Sequence, residues 1–417
     1  MGLLVAASAC SFVDRQLLSL LIEPIKADLH LSDTGVSLLL GLAFVACYAL
    51  AGPPIGLLID RTRRWRVVAA GITVWSVMTA GTALASTYAQ LFLFRMGVGI
   101  GEATLNPAAY SLIPDVVRRE RRGMAIALFG LGVYAGAGLA LVIGGQVIGL
   151  LARHGPIALP LVGILRPWQA AFLVVGALGL PVAVIAWFMR EPDRLDAGEP
   201  PSLWDVLRHL RDHAGVVAAI VALWAGVLMA GYSVGAWLPT FMGRTHGWPA
   251  MRVGLWFGLI VVVAGASGAI TGGWLSDRVA ARRPGGRVIA VTALALLALP
   301  FALAFPLVAS PVGALALVGA FTFGQAGAAA AAPSILQDVL PGRMRGFASA
   351  LVLAAVTLLA LGLGPTLIAL VTDRAFGDPA ALRWSLAIAV PTMLGLAALA
   401  GFVALPAYRK LLPKVNA

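Results

Sequence analysis

Charge is what this sequence has least of. Of its 417 residues only 12% are Asp, Glu, Lys or Arg, while 60% are apolar. A soluble globular domain carries about 25% charged residues, so this chain has too few water-facing groups to cover such a surface. An ordinary soluble enzyme, a disordered protein and a nucleic-acid-binding domain are all excluded. Acid is scarcer than base, with 18 Asp and Glu against 30 Lys and Arg. The resulting net charge of +12 suggests nucleic acid only until the positions of the charges are read. Cysteine is nearly absent. Cys10 and Cys47 both lie in apolar runs, which excludes a disulfide framework and makes them small core residues. None of the five histidines lies on an apolar face, and neither His-Glu-x-x-His nor Gly-x-Ser-x-Gly occurs. An intramembrane hydrolase therefore lacks its residues, and neither a metal nor a bound cofactor is expected.

What is present is a series of long apolar runs separated by short basic breaks, the pattern of an integral membrane protein. The first run begins almost at residue 1. It lacks the preceding Lys or Arg of a signal peptide, so it reads as a membrane helix and leaves open a cytoplasmic tail upstream. Twelve spans are expected, near 2–25, 34–59, 66–86, 90–113, 121–151, 167–189, 214–241, 250–276, 287–307, 311–337, 344–372 and 383–408. All should be helices, because lipid offers the backbone no hydrogen-bond partner. With both termini placed in the cytoplasm, inside loops and the C-terminal tail hold 21 Lys and Arg and outside loops 7. That bias supports both span number and orientation, and a bacterial inner membrane suits it. Residues 190–213 form a basic linker with an amphipathic helix in which Leu203, Leu207 and Leu210 share a face. The linker separates an N-terminal bundle, 1–189, from a C-terminal bundle and tail, 214–417.

The two halves repeat. Gly56-Leu57-Leu58-Ile59-Asp60-Arg61 matches Gly273-Trp274-Leu275-Ser276-Asp277-Arg278. Ser111 to Asp115 matches Ser334 to Asp338, and Arg122-Gly123-Met124-Ala125 matches Arg345-Gly346-Phe347-Ala348. Parallel six-helix repeats describe one class of secondary transporters, with the substrate site near mid-membrane.

Four charges lie deep in predicted spans: Asp14 and Arg15 in the first, Arg95 and Glu102 in the fourth. Each costs about 2.5–3.5 kcal/mol to insert. Two acids and two arginines can neutralise one another, so they are expected to meet. Arg95 and Glu102, two turns apart, line one wall about 10 Å apart in depth. The repeat places Gln325 where the N-terminal half has Glu102, so the C-terminal half keeps a neutral hydrogen-bonding counterpart. Substrate anion binding at Arg15 or Arg95 would remove a counter-charge, and Asp14 or Glu102 would then take a proton. Tyr48, Tyr134 and Trp237 lie deep enough to line a substrate cavity or to pack in the core. Asp60, Arg61, Arg64, Asp115, Asp277 and Arg278 are expected to form a cytoplasmic gate, in which carboxylates bind helix N-termini and arginines pair with Asp115 or Glu120. Gly97-x-Gly99-x-Gly101 follows no strand and reads as a close-packing helix face.

These residues resemble the major facilitator superfamily. Gly56-x-Leu58-x-Asp60-Arg61-x-x-Arg64 is similar to its loop motif between the second and third helices, with Arg63 where Gly is usual. Within it the chain looks most like spinster-type transporters. The likeness rests on Phe12-Val13-Asp14-Arg15, Ile25-Lys26-Ala27-Asp28-Leu29-x-Leu31-Ser32-Asp33-Thr34, Gly41-Leu42-Ala43-Phe44 and Trp237-Leu238-Pro239-x-Phe241. That resemblance implies proton-linked movement of lysophospholipids or sphingoid lipids by a twelve-helix, two-bundle fold. By the same resemblance Asp14 and Glu102 carry the proton, and Arg15 and Arg95 bind the headgroup. Asp14-Arg15 and Arg95 with Glu102 are similar also to the anion:cation symporters of sugar acids, which is the alternative. The expected partners are the small substrate and membrane lipids, with no nucleic acid, for a chain acting as a monomer.

Overall fold

The computed structural model describes residues 2–117, 122–159, 163–192, 203–341 and 344–416. The chain is almost wholly helical. In order come α1 (Gly2–Leu20), α2 (Ile22–Leu29), α3 (Asp33–Leu40), α4 (Leu42–Arg61), α5 (Arg64–Thr82), α6 (Tyr88–Glu102), α7 (Leu105–Val116), α8 (Arg122–His154) and α9 (Pro167–Trp187). After these follow α10 (Leu203–Asp212), α11 (Ala214–His246), α12 (Ala250–Ile260), α13 (Ala266–Ala280), α14 (Gly286–Ala304), α15 (Pro311–Asp338), α16 (Arg345–Leu370) and α17 (Leu382–Asn416). Ten segments among the described residues are long and apolar enough to cross a membrane. Two more, α5 and the α6–α7 pair, occupy the third and fourth places in the predicted order. The α6–α7 pair falls short on apolar length because it carries Arg95 and Glu102 and is broken after Glu102.

The breaks have local causes. Pro24 has no N–H for Leu20, and Pro107 has none for Ala103, so the helix is interrupted just before each. Gly41 separates α3 from α4 at φ −110°, ψ −80°. Wider π-helical windings at Val261–Gly265 and Val371–Phe376 replace regular α-helix, which a straight-span reading did not anticipate. Nor did it anticipate the short hairpin of β1 (Ile157–Leu159) and β2 (Gly163–Leu165), antiparallel with Ala158 opposite Ile164.

The chain forms two compact units. The first is Met1–Asp196 with Gly235–Val262, the second Ala197–Val234 with Val263–Ala417. In the first, α1 packs along α8, α5 along α9, and α6 against both α4 and α5. Two glycines set that last approach. A Cβ on Gly99 would lie 2.3 Å from the Phe44 carbonyl oxygen, and one on Gly101 would lie 2.7 Å from the Trp75 nitrogen. Backbone meets backbone there, so only glycine fits. In the second unit α14 packs on α15 and α17, and α13 on α15. The amphipathic α10 seats Val206 in this unit, and His209 Nε2 lies 3.1 Å from the Val339 carbonyl. Trp204 and Leu207 stay exposed, Leu210 is half-buried, and the Leu203 side chain lies outside the described residues.

Candidate functional site

The four intramembrane charges meet inside the first unit, as two crossed pairs between α1 and α6. Arg15 goes with Glu102. Its Nε donates to Glu102 Oε2 at 2.8 Å, its Nη2 reaches the same oxygen, and the Ser11 hydroxyl donates to it at 2.8 Å. Arg95 goes with Asp14, Nη1 to Oδ2 at 3.5 Å, and its Nε donates to the Leu39 carbonyl at 3.4 Å. Burial is severe and unequal. Asp14, Arg95 and Glu102 are each 2% exposed, whereas the Arg15 side chain keeps 22% of its surface accessible. Arg95 Nη1 and Glu102 Oε1 have no hydrogen-bond partner among the described residues, and the Thr79 hydroxyl approaches the Asp14 carboxylate. A buried ion pair with unfilled valences is costly in a low dielectric.

Local sequence explains the placement. Ser11 and Arg15 are four apart on α1 and therefore share a face. On α4, Phe44 and Tyr48 share a face in the same way, their rings stacked with centroids 5.7 Å apart. The Arg15 guanidinium lies 4.3 Å from the Phe44 centroid, 5.2 Å from Phe12 and 5.9 Å from Tyr48, and Arg95 approaches the same Phe44 ring at 5.7 Å. Stacking of this kind holds a guanidinium without neutralising it. The Tyr48 hydroxyl accepts from Asn106 Nδ2 at 2.9 Å. Ser11, Phe12, Phe44 and Asn106 were not singled out as site residues in the sequence. The i, i+4 spacings to Arg15 and Tyr48 are the signal that could have found the first and third.

The other predicted lining residues are elsewhere. Gln325 lies in the second unit and donates from Nε2 to the Val227 carbonyl at 3.1 Å. Tyr134 is half-buried on α8. Trp237 on α11 is fully buried and packs in the first unit. Cys10 and Cys47 are free thiols, half-buried rather than in the core.

The loop residues resolve into a repeated cradle. Arg64, 1% exposed, donates to the Ser111 carbonyl at 3.0 Å, to Asp115, to Glu191 Oε1 at 2.6 Å and to the Pro192 carbonyl at 3.0 Å. In the second unit Arg287 donates to the Ser334 carbonyl at 3.3 Å and to Asp338 Oδ1 at 2.9 Å, and Asp338 also accepts from the Tyr408 hydroxyl at 2.5 Å. The offset relating Ser111–Asp115 to Ser334–Asp338 carries Arg64 onto Arg287 as well, so the internal repeat is one arginine cradle built twice. Glu191, the strongest addition to the expected network, sits in the linker and was missed. Arg61 and Arg63 are exposed. Asp277, 75% exposed, lies 3.4 Å from Arg287, and Arg278 stacks 5.3 Å from Trp274. The Asp60 side chain and Glu120 lie outside the described residues.

A second charged cluster, also unforeseen, joins α2, α3 and α11 within the first unit. Asp33 is fully buried. It accepts from Arg244 Nη1 and Nη2 at 2.7 Å each and pairs with Lys26, while Arg244 Nε donates to Glu23 at 2.9 Å. Asp28 pairs with Arg166 at 2.9 Å and accepts from the Trp168 indole. Ser32 caps α3, accepting from the Gly35 nitrogen at 3.1 Å. Lys26, Asp28, Ser32 and Asp33 belong to the segment that carries the spinster resemblance, and each has a structural task at this corner.

The Major Facilitator Superfamily profile matches residues 4–365. The chain belongs to this superfamily. Among its superfamily relatives, an MFS-type efflux pump of Mycolicibacterium smegmatis is 31% identical over 98% of this chain and 92% of that protein. Human protein spinster homolog 1 is 27% identical over 57% of this chain and 44% of its own length. A galacturonate transporter of Dickeya chrysanthemi is 25% identical over 66% of this chain and 79% of that one. The fold matches the crystal structure of a bacterial homolog to the human lysosomal transporter spinster, inward-facing and occupied. That match has a TM-score of 0.79 and 25% identity, over 99% of this chain and 96% of that one. The protein is thus an integral membrane transporter of the superfamily fold, with spinster-like and sugar-acid-transporter relatives.

Proposed function

We propose that the protein is a proton-coupled secondary transporter of an anionic or zwitterionic amphiphile, such as a lysophospholipid, working by alternating access. The observation that carries this reading is the crossed pair arrangement: two buried carboxylates, each held by one arginine, with Glu102 Oε1 unfilled. Arg15 is the accessible member, stacked on aromatic faces as well as paired with Glu102. An anionic head engaging Arg15 would weaken its hold on Glu102, and the released carboxylate, in a low dielectric, would take up a proton. Substrate and proton are then linked through one counter-ion, with no covalent step. The absence of mid-span charge in the C-terminal half supports an apolar body on the substrate. Asp14 would take a proton by the same logic when Arg95 is drawn away. The arginine cradles at Arg64 and Arg287 would act as the gate on the cytoplasmic side, with both termini there and the chain in a bacterial inner membrane.

The second reading is symport of a small sugar acid, favoured by the galacturonate relative and by a probable L-galactonate transporter of Escherichia coli, 26% identical over 66% of this chain. Both readings are separated by proteoliposomes holding a trapped pH-sensitive dye. A pH change on adding lysophospholipid, lost in Asp14→Asn protein, is the expected result. A response confined to galacturonate would move the protein to the second reading.

A further inference from the structure

A basic patch outside the buried ion pairs lies at the end of α13, in the second unit. An open basin of about 440 Å³ is lined there by Trp274, Asp277, Arg278, Ala281 and Arg282. Trp274 and Arg278 are one turn apart on α13, and Arg282 follows in the turn that ends it. Trp274 is 58% exposed, and the Arg278 guanidinium lies 5.3 Å from its ring. Among the described residues neither Arg278 nor Arg282 pairs with a carboxylate, and Asp277, the acid of the basin, lies 3.4 Å from Arg287. Carbonyls at a helix C-terminus repel an anion. Here those of Asp277 and Val279 are taken by the N–H groups of Ala281, Arg282 and Arg283. The internal repeat does not require this arrangement. At the matching positions the first unit has Leu57 for Trp274 and the buried Trp65 for Arg282, keeping only Arg61 for Arg278. Basic charge alone orients a span, so the tryptophan and the second arginine need another task.

We propose that this basin binds the phosphodiester headgroup of an anionic membrane phospholipid. The segment that α13 ends, Ala250–Ala280, is long and apolar enough to cross a membrane, so its last turns leave the bilayer where headgroups lie. Tryptophan settles at that level, with its ring against the upper acyl chain and its stacked arginine in the headgroup layer. A guanidinium fork matches two phosphate oxygens at once, and basic pockets at the ends of spans hold anionic headgroups in this way. A zwitterionic head brings its own ammonium and offers the two arginines less net charge. A free phosphate would meet the arginines but make no use of Trp274, so the lipid is the source the basin fits. None of Asp14, Arg15, Arg95 or Glu102 lines it, so the bound lipid is a fixed part of the second unit's surface and not the transported molecule.

Native mass spectrometry of the full chain in detergent, titrated with dioleoyl phosphatidylglycerol, tests this. One phosphatidylglycerol is expected to bind several-fold more tightly than dioleoyl phosphatidylcholine. Arg278→Gln with Arg282→Gln should weaken it about twenty-five-fold, at roughly fivefold per arginine. Trp274→Leu should weaken it about threefold through the lost stacking. The charge-matched variant Arg61→Gln with Arg63→Gln, exposed in the first unit, should bind as the unaltered protein does. Equal loss in that variant overturns the proposal, since binding is then diffuse attraction to basic loops. Equal affinity for phosphatidylcholine overturns it too. So does complete displacement of the lipid by millimolar inorganic phosphate, because the arginines then hold a free anion. If the arginine variants fold poorly, quenching by brominated phosphatidylglycerol reads the same site with both arginines in place. The quenched emission should be smaller in Trp274→Phe protein than in the unaltered one, and identical quenching in the two contradicts the proposal.

Discussion

Arg15 and Arg95 carry the same charge but different tasks. Arg15 presents a planar fork to Glu102 while stacked on Phe44, and Lys cannot reproduce either contact. Arg15→Lys should therefore raise the half-saturation concentration for substrate about tenfold, given a stacking contribution of roughly 0.5–2 kcal/mol; uptake kinetics in proteoliposomes check this. Arg95 is 2% exposed and is the cation nearest to Asp14. Arg95→Leu leaves a buried carboxylate unpaired and should cost about 3–5 kcal/mol of stability. Removing both charges, Asp14→Asn with Arg95→Gln, should recover most of it. Thermal unfolding in detergent reads the difference, and an Arg95→Leu protein as stable as wild type would contradict the pairing.

At the scale of elements, the spans and the linker helix were legible because apolar runs, basic breaks and helix period all point one way. The interruption of the fourth span was not read, although Pro107 marks it. Composition identified Arg95 and Glu102 as out of place, but which arginine meets which acid depends on how α6 seats against α4 and α5 at Gly99 and Gly101. That register is set by backbone contact, which leaves little trace in a single sequence beyond the glycines themselves. The glycines offer a graded test. A Cβ on Gly99 meets backbone at 2.3 Å, whereas one on Gly97 meets only the flexible Met78 side chain at 2.6 Å. Gly99→Ala should lose folded yield and transport, and Gly97→Ala should retain both, as size-exclusion profiles and uptake would show. The repeated cradle grades likewise. Arg64 is 1% exposed with four residues as partners, while the Arg287 side chain is 26% exposed with fewer. Arg64→Ala should lower the melting temperature more than Arg287→Ala does.

For the whole molecule, the repeat is conserved as architecture and broken as chemistry. Both units hold an arginine to a serine carbonyl and an aspartate at equivalent positions, yet among the described residues the buried ion pairs are confined to the first. A symmetric scaffold with titratable groups on one side suits a transporter whose coupling lies in one half. The corner of Asp33, Lys26, Glu23 and Arg244 was invisible to pattern reading because Arg244 is far from the others in sequence and reads as an ordinary loop charge. The central claim is that the Arg15–Glu102 pair links substrate to proton. It is tested most directly by comparing wild-type and Glu102→Gln proteoliposomes under an imposed pH gradient. The account predicts that Glu102→Gln loses gradient-driven accumulation while substrate exchange between inside and outside persists. Undiminished accumulation by Glu102→Gln would contradict it.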